Sequence, residues 1–235
     1  MAESVLLKTL DTARQRHKKE KERVIQFSTC MLRCMNELAL LYLAQGHHAK
    51  AEELFEQGID FGARWLPGKD HPATLRNVND LAILRIKQER YDEADTLLNR
   101  ALTARKLKLG DDHPKTLETI NDLGILHREQ GQYDEAERLL IEAHKKRQTK
   151  LGEDHPHALA SIHELAVLYT EQGDYAKAEL LLTEAVEGRR LKLGDAHPHT
   201  KESLSNLIDL YEAWGKLEKA EKWRARLPQT KAAEQ

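Results

Sequence analysis

The sequence predicts an all-α protein: an α–α superhelix (solenoid) of about five stacked helical hairpins, preceded by one extra N-terminal helix. The first observation behind this is a repeat. His-Pro recurs at 71–72, 113–114, 155–156 and 197–198, every 42 residues, and the last three copies sit in near-identical surroundings, LGDDHP, LGEDHP and LGDAHP. A fixed period of this length is the signature of one supersecondary unit copied and stacked. The second is that apolar residues between these sites recur three and four apart, the spacing of a helix face.

Taken in order, residues 1–26 are expected to hold a capping helix over 3–23, with Val5, Leu6, Leu7 and Leu10 as its apolar patch. The repeat array then fills 27–227, divided as 27–68, 69–110, 111–152, 153–194 and 195–227. First helices are expected near 27–45, 72–88, 114–130, 156–172 and 198–214, and their partners near 48–64, 91–108, 133–150, 175–192 and 217–226. The connector at 65–72 carries one extra residue, which shifts the phase before it by one. Residues 228–235 read as a disordered tail.

One repeat shows why. After His113, Leu117, Ile120, Leu123, Gly124 and Leu126 mark one helix face. Pro114 suits a first turn, where its missing N–H costs nothing, and Asp111 and Asp112 sit where a helix N-terminus favours negative charge. Gly131 interrupts the helix; Tyr133, Ala136, Leu139, Leu140 and Ala143 mark a second one, and Gly152 reads as its left-handed stop. Small residues recur where helices must approach: Ala39, Ala82, Gly124 and Ala166 on first helices, Ala51, Ala94, Ala136, Ala178 and Ala220 on second ones. Large apolar residues flank them, so neighbours can interdigitate. The last hairpin places Arg224 where others place Leu140 or Leu182, with Pro228 after it, so it reads as a polar end-cap close to the true C-terminus.

Composition bounds the function. Lys plus Arg is 37 against 39 for Asp plus Glu, with the signs interleaved, which argues against non-specific phosphate binding. No run of 18 apolar residues could span a membrane, the N-terminus is no secretory signal, and two cysteines build no disulfide framework. A cytoplasmic location is expected.

The same residues resemble the tetratricopeptide repeat: Leu-Gly/Ala and an aromatic on the first helix, then Ala, a large apolar residue and Ala on the second. Tyr42, Tyr169 and Tyr211 match the aromatic, while Arg85 and His127 depart from it; Ala101, Ala143 and Ala185 match the last small position and Gly58 stands in for it. The 42-residue period with its LG-x-DHP connector is similar to the kinesin light chain variant, over about residues 28–227.

That resemblance implies a concave face lined by first helices. Carried over, its contact positions are Arg33, Asn36 and Leu40; Arg76, Asn79, Ile83 and Lys87; Glu118, Asn121, Ile125 and Arg128; Ala160, His163, Val167 and Glu171; and Glu202, Ser205, Asp209 and Glu212. Asn36, Asn79 and Asn121 recur at one position, either as an amide ladder for a peptide backbone or as residues tolerated on a solvated face. Basic residues lie early (Arg33, Arg76, Lys87) and acidic ones late (Glu118, Glu164, Glu171, Glu202, Asp209, Glu212), which suits a partner with an acidic and a basic half. The clamp for a chaperone C-terminal tail is missing, since Leu40, Asp80, Glu118 and Asp122 occupy four of its positions.

Other constellations are weak. The His-Pro histidines are one per repeat, too dispersed for a metal, and suit helix capping. Cys30 and Cys34 share a helix face and read as buried small side chains. The run at 14–23 mixes in Glu20 and Glu22, has no aromatics to stack bases and lacks the sustained heptads of a motor-joining coiled coil. No phosphate loop or nucleophile elbow is present. The expectation is therefore a non-catalytic scaffold with no metal and no cofactor, binding a protein or peptide in its groove and neither nucleic acid nor membrane. The alternative is a regulatory or sensor arm of a larger signalling protein, acting by intramolecular contact or self-association.

Overall fold

The computed structural model describes residues 2–68, 70–153 and 155–227. Among them are ten helices and no strand. The first unit, Met1–Lys108, holds α1 (Ala2–Ala44), α2 (His48–Trp65), α3 (Pro72–Lys87) and α4 (Tyr91–Leu109), whose last residue opens the second unit. The second unit, Leu109–Gln235, holds α5 (Pro114–Glu129), α6 (Tyr133–Leu151), α7 (Pro156–Glu171), α8 (Tyr175–Leu193), α9 (Pro198–Ala213) and α10 (Leu217–Arg224). Apart from the start of α1, helix ends fall within one or two residues of those expected from the repeat. No helix is long and apolar enough to cross a membrane among the described residues.

Each His-Pro is a helix start. His71, His113, His155 and His197 are N-caps, and each accepts on Nδ1 the backbone N–H two residues on, at 3.1–3.2 Å. Capping satisfies one of the orphan donors of the first turn, and the following Pro needs no partner. Among the described residues no group of three or more His, Cys, Asp or Glu could hold a metal. Gly152 and Gly194 close α6 and α8 with φ of 93° and 86°, as expected for glycine. Their ψ of 158° and 164° lies in the extended glycine-only region instead of the left-handed helical one.

The separate N-terminal helix is a correction. Residues 2–44 form one uninterrupted α1 of 43 residues, because no Gly, Pro or cap residue breaks the chain between the expected helix and the first hairpin. Side chains of the patch at Val5, Leu6, Leu7 and Leu10 lie outside the described residues, as does the tail 228–235.

The core is the expected stripe. Ala39, Ala51 and Phe55 are fully buried with Leu81 and Leu84 in the first unit; Ala136, Leu140, Ala166, Leu168, Ala178 and Leu182 are fully buried in the second. At Gly124 even a Cβ would lie 2.7 Å from the Leu140 side chain, so this crossing excludes anything larger. We expect Ala136→Leu to overpack the same crossing and cost about 1–3 kcal/mol in urea denaturation; an unchanged midpoint would show that the crossing can relax.

One of the two departures at the aromatic position, Arg85, is compensated eight residues on. Tyr42, Tyr169 and Tyr211 each lie under a lysine, Lys50, Lys177 and Lys219, at 5.4, 4.8 and 5.2 Å from the ring centre. Arg85 instead meets Glu93 at 3.2 Å, while His127 meets Gln132 Oε1 at 2.7 Å through Nδ1.

Candidate functional site

The first helices run side by side within each unit, α1 against α3 and α5, α7 and α9 in series. The positions carried over from the repeat family divide into two sets on this face.

The amide set points inward. Asn36, Asn79, Asn121 and His163 are all buried. Asn36 Nδ2 donates to Asp80 at 2.7 Å, Asn79 Oδ1 accepts from Arg105 Nη1 at 3.0 Å, and Asn121 Oδ1 accepts from Arg147 Nη1 at 3.2 Å and from Ser161 Oγ at 3.1 Å. His163 meets Ser203 Oγ at 3.1 Å through Nδ1 and Asn206 at 3.2 Å through Nε2. This corrects the reading of the asparagines as a free ladder: their amides join helices to each other. For Asn79 and Asn121 the cause is the arginine of the second helix, whose guanidinium needs buried acceptors.

Those arginines were not singled out from the sequence. Arg105, Arg147 and Arg189 stand 42 residues apart, and all three are buried. Arg147 donates to Leu117 O, His157 O and Ser161 Oγ at 3.3, 3.1 and 2.6 Å as well as to Asn121. It therefore ties its own hairpin to the next. Arg189 repeats this with His199 O at 2.9 Å and Ser203 Oγ at 2.6 Å. Their 42-residue recurrence was the available signal, masked because basic residues late in a helix are normally solvated.

The first repeat has Gly62 at the matching position, where a Cβ would lie 2.2 Å from Thr74 Oγ1. With no guanidinium there, Asn36 Oδ1, Thr74 Oγ1 and Asn77 Oδ1 are buried without a hydrogen-bond partner among the described residues.

The second set faces outward. Arg33 and Lys87 are exposed, and Leu40, Ile83, Ile125 and Val167 are half-buried. Arg76 is paired with Glu37 of α1 at 3.2 Å, and Glu118 with Lys115 at 2.9 Å. Arg128 is nearly enclosed: it meets Glu129 at 2.7 Å, Glu171 at 2.9 Å and Glu164 at 3.9 Å. Desolvation raises the Glu164 carboxyl above its ordinary range, and Glu202 and Glu129 add to the shift against the attraction of Arg128 and Arg189. Glu171 is raised by desolvation too, with Glu129 contributing. On α9, Glu202, Ser205, Asp209 and Glu212 are exposed, and Glu212 pairs with Arg224. One guanidinium thus serves several carboxylates on the α5–α7–α9 face.

Cys30 and Cys34 are exposed, against the expectation of burial.

Tetratricopeptide repeat profiles match residues 31–73, 72–148 and 123–191. A search of curated proteins gave no match. Among solved structures, a putative kinesin light chain of nearly identical repeats from Podosopora anserina is 30% identical. It aligns over 85% of this chain and 93% of its own, with a TM-score of 0.65. BtubC (BKLC) from P. vanneervenii is 21% identical over 92% of this chain and 87% of its own, with a TM-score of 0.68. NprR, solved in complex with its cognate peptide NprX, shares the fold at 12% identity. That alignment covers 89% of this chain and 59% of NprR, with a TM-score of 0.68. The chain belongs to the tetratricopeptide repeat family, in its kinesin-light-chain-like form.

Proposed function

We propose that the protein is a non-catalytic scaffold that holds an extended partner segment against the first helices of its second unit, with basic residues of that segment on the α5–α7–α9 face. The observation that carries this is the surplus of partly desolvated carboxylate around Arg128. Glu164 and Glu171 share its guanidinium with Glu129, and burial holds both above the ordinary carboxylate range. An incoming Lys or Arg would supply the missing counter-charge where screening is weak. Ile125 and Val167, half-buried beside these groups, offer apolar contact to the same segment. The α1–α3 face has the opposite character, with Arg33, Arg76 and Lys87, and suits an acidic stretch. The peptide complex of NprR supports the reading at the level of fold.

The test is fluorescence anisotropy with extended peptides of matched length, basic or acidic. The basic peptide is expected to bind the wild type, and charge reversal of Glu118 and Glu164 to Lys to weaken it at least tenfold with helicity unchanged. Equal affinity for both proteins would overturn the assignment of this face. Because a bound cation lowers the pKa of Glu164 and Glu171, binding releases protons. Affinity is therefore expected to fall as pH drops through their titration, and to rise above it.

A further inference from the structure

Val24, Phe27, Met31, Cys34, Leu38 and Leu41 form an exposed stripe along α1; Phe27 is 66% exposed and Leu41 52%. Spacings alternate between three and four, so the stripe repeats every 3.5 residues and follows the seam of a left-handed coiled coil. Its place in the repeat is known from later helices. Positions 43 residues on, Thr74, Asn77, Leu81 and Leu84 of α3, are all buried against α2. The same holds for α7 against α6 and for α9 against α8. On α1 this docking face is uncovered and more apolar, with Met31 and Cys34 where α3 has Thr74 and Asn77.

We propose that its occupant is α1 of a second copy of this chain, packed antiparallel about a two-fold axis between positions 32 and 33. That axis sets Val24 opposite Leu41, Phe27 opposite Leu38 and Met31 opposite Cys34, so the stripe is complementary to itself in one register. Each layer pairs a side chain with one of different size, whereas a parallel pairing stacks Phe27 on Phe27 and leaves Cys34 on Cys34. Charge favours the same direction. Arg16, Lys18, Lys19, Lys21 and Arg23 outnumber Glu20 and Glu22 and are exposed. A parallel pair brings both basic segments together, and an antiparallel pair sends them to opposite ends. Head-to-tail growth lacks a complement, because α10 is short and exposes Glu218, Lys219, Glu221, Lys222 and Arg224. The outcome is an isologous, closed dimer.

Sedimentation velocity on the full chain is expected to show a concentration-dependent shift from 27.0 kDa to twice that mass. Phe27→Glu with Leu38→Glu should weaken the dimer at least a hundredfold with unchanged helicity, while Leu180→Glu, at a residue 73% exposed on α8, should leave it intact. In a background lacking Cys30 and Cys34, a short bis-maleimide should join Val24→Cys chains to Leu41→Cys chains. A monomer at every concentration, a dimer indifferent to the double variant, polymers larger than a dimer, or crosslinking of Val24→Cys only to itself would each overturn the proposal.

Discussion

Arg147→Ala is expected to lower the unfolding free energy by about 3–5 kcal/mol, more than any single surface substitution in the chain. The guanidinium is buried and reaches four acceptors: Leu117 O and Asn121 Oδ1 in α5, His157 O and Ser161 Oγ in α7. Removing it takes a charge-assisted hydrogen bond from each of them, worth about 1.5–3 kcal/mol before the structure relaxes, although Asn121 Oδ1 and His157 O keep the Ser161 hydroxyl. Arg147→Lys should recover only part, since one ammonium cannot span acceptors placed for a planar fork. Asn121→Ala removes one acceptor and should cost about 1–3 kcal/mol, by lowering stability instead of partner affinity. Chemical denaturation of the three variants distinguishes these outcomes. An Arg147→Ala loss under about 1 kcal/mol would mean that water replaces the guanidinium and that the joint rests on apolar packing alone.

The same network marks where sequence reading stops. Hairpin boundaries were legible because their signals are local: His-Pro sets the cap, glycine sets the stop, and the alanine stripe sets the crossing. The continuity of α1 across the expected break was legible in principle too, since residues 20–30 contain no breaker. The inward turn of the asparagines was not. A polar residue on a helix implies water unless a buried partner is known, and the partner of Asn79 or Asn121 lies 26 residues away on another helix. The trace available was a double recurrence, Asn79 with Arg105 and Asn121 with Arg147. Gly62 in the first repeat shows the converse, a joint where the arginine is missing and the acceptors stay unpaired. The outward set was easier. Leu40, Ile83, Ile125 and Val167 keep an accessible edge, Arg33 and Lys87 are exposed in the first unit and Glu202, Asp209 and Glu212 in the second, and Arg128 is drawn in by its neighbouring carboxylates.

Lowering the pH from 7 to 4 should remove about 3 kcal/mol of stability through His163 alone. Its ring is buried between α7 and α9, with Ser203 on one nitrogen and Asn206 on the other. Desolvation is the main cause that brings its pKa from 6.5 down to about 4; the positive charge of Arg189 adds to it, Glu202 opposes it, and Arg128 and His199 contribute less. The direction follows from which state binds the proton. A histidine depressed in the folded state stays neutral there while the unfolded chain protonates, so its contribution is complete above pH 6.5 and is lost as pH falls towards 4. His144 and His157 are shifted the same way by burial, and the raised carboxyls of Glu164 and Glu171 act in the opposite sense at lower pH. A comparison with His163→Gln isolates the single group, because glutamine keeps polar atoms in the site and does not titrate. The stability difference between wild type and this variant should shrink by about 3 kcal/mol between pH 7 and pH 4. Two parallel stability curves would show that His163 is protonated in the folded array, which would require Ser203 and Asn206 to turn away from it.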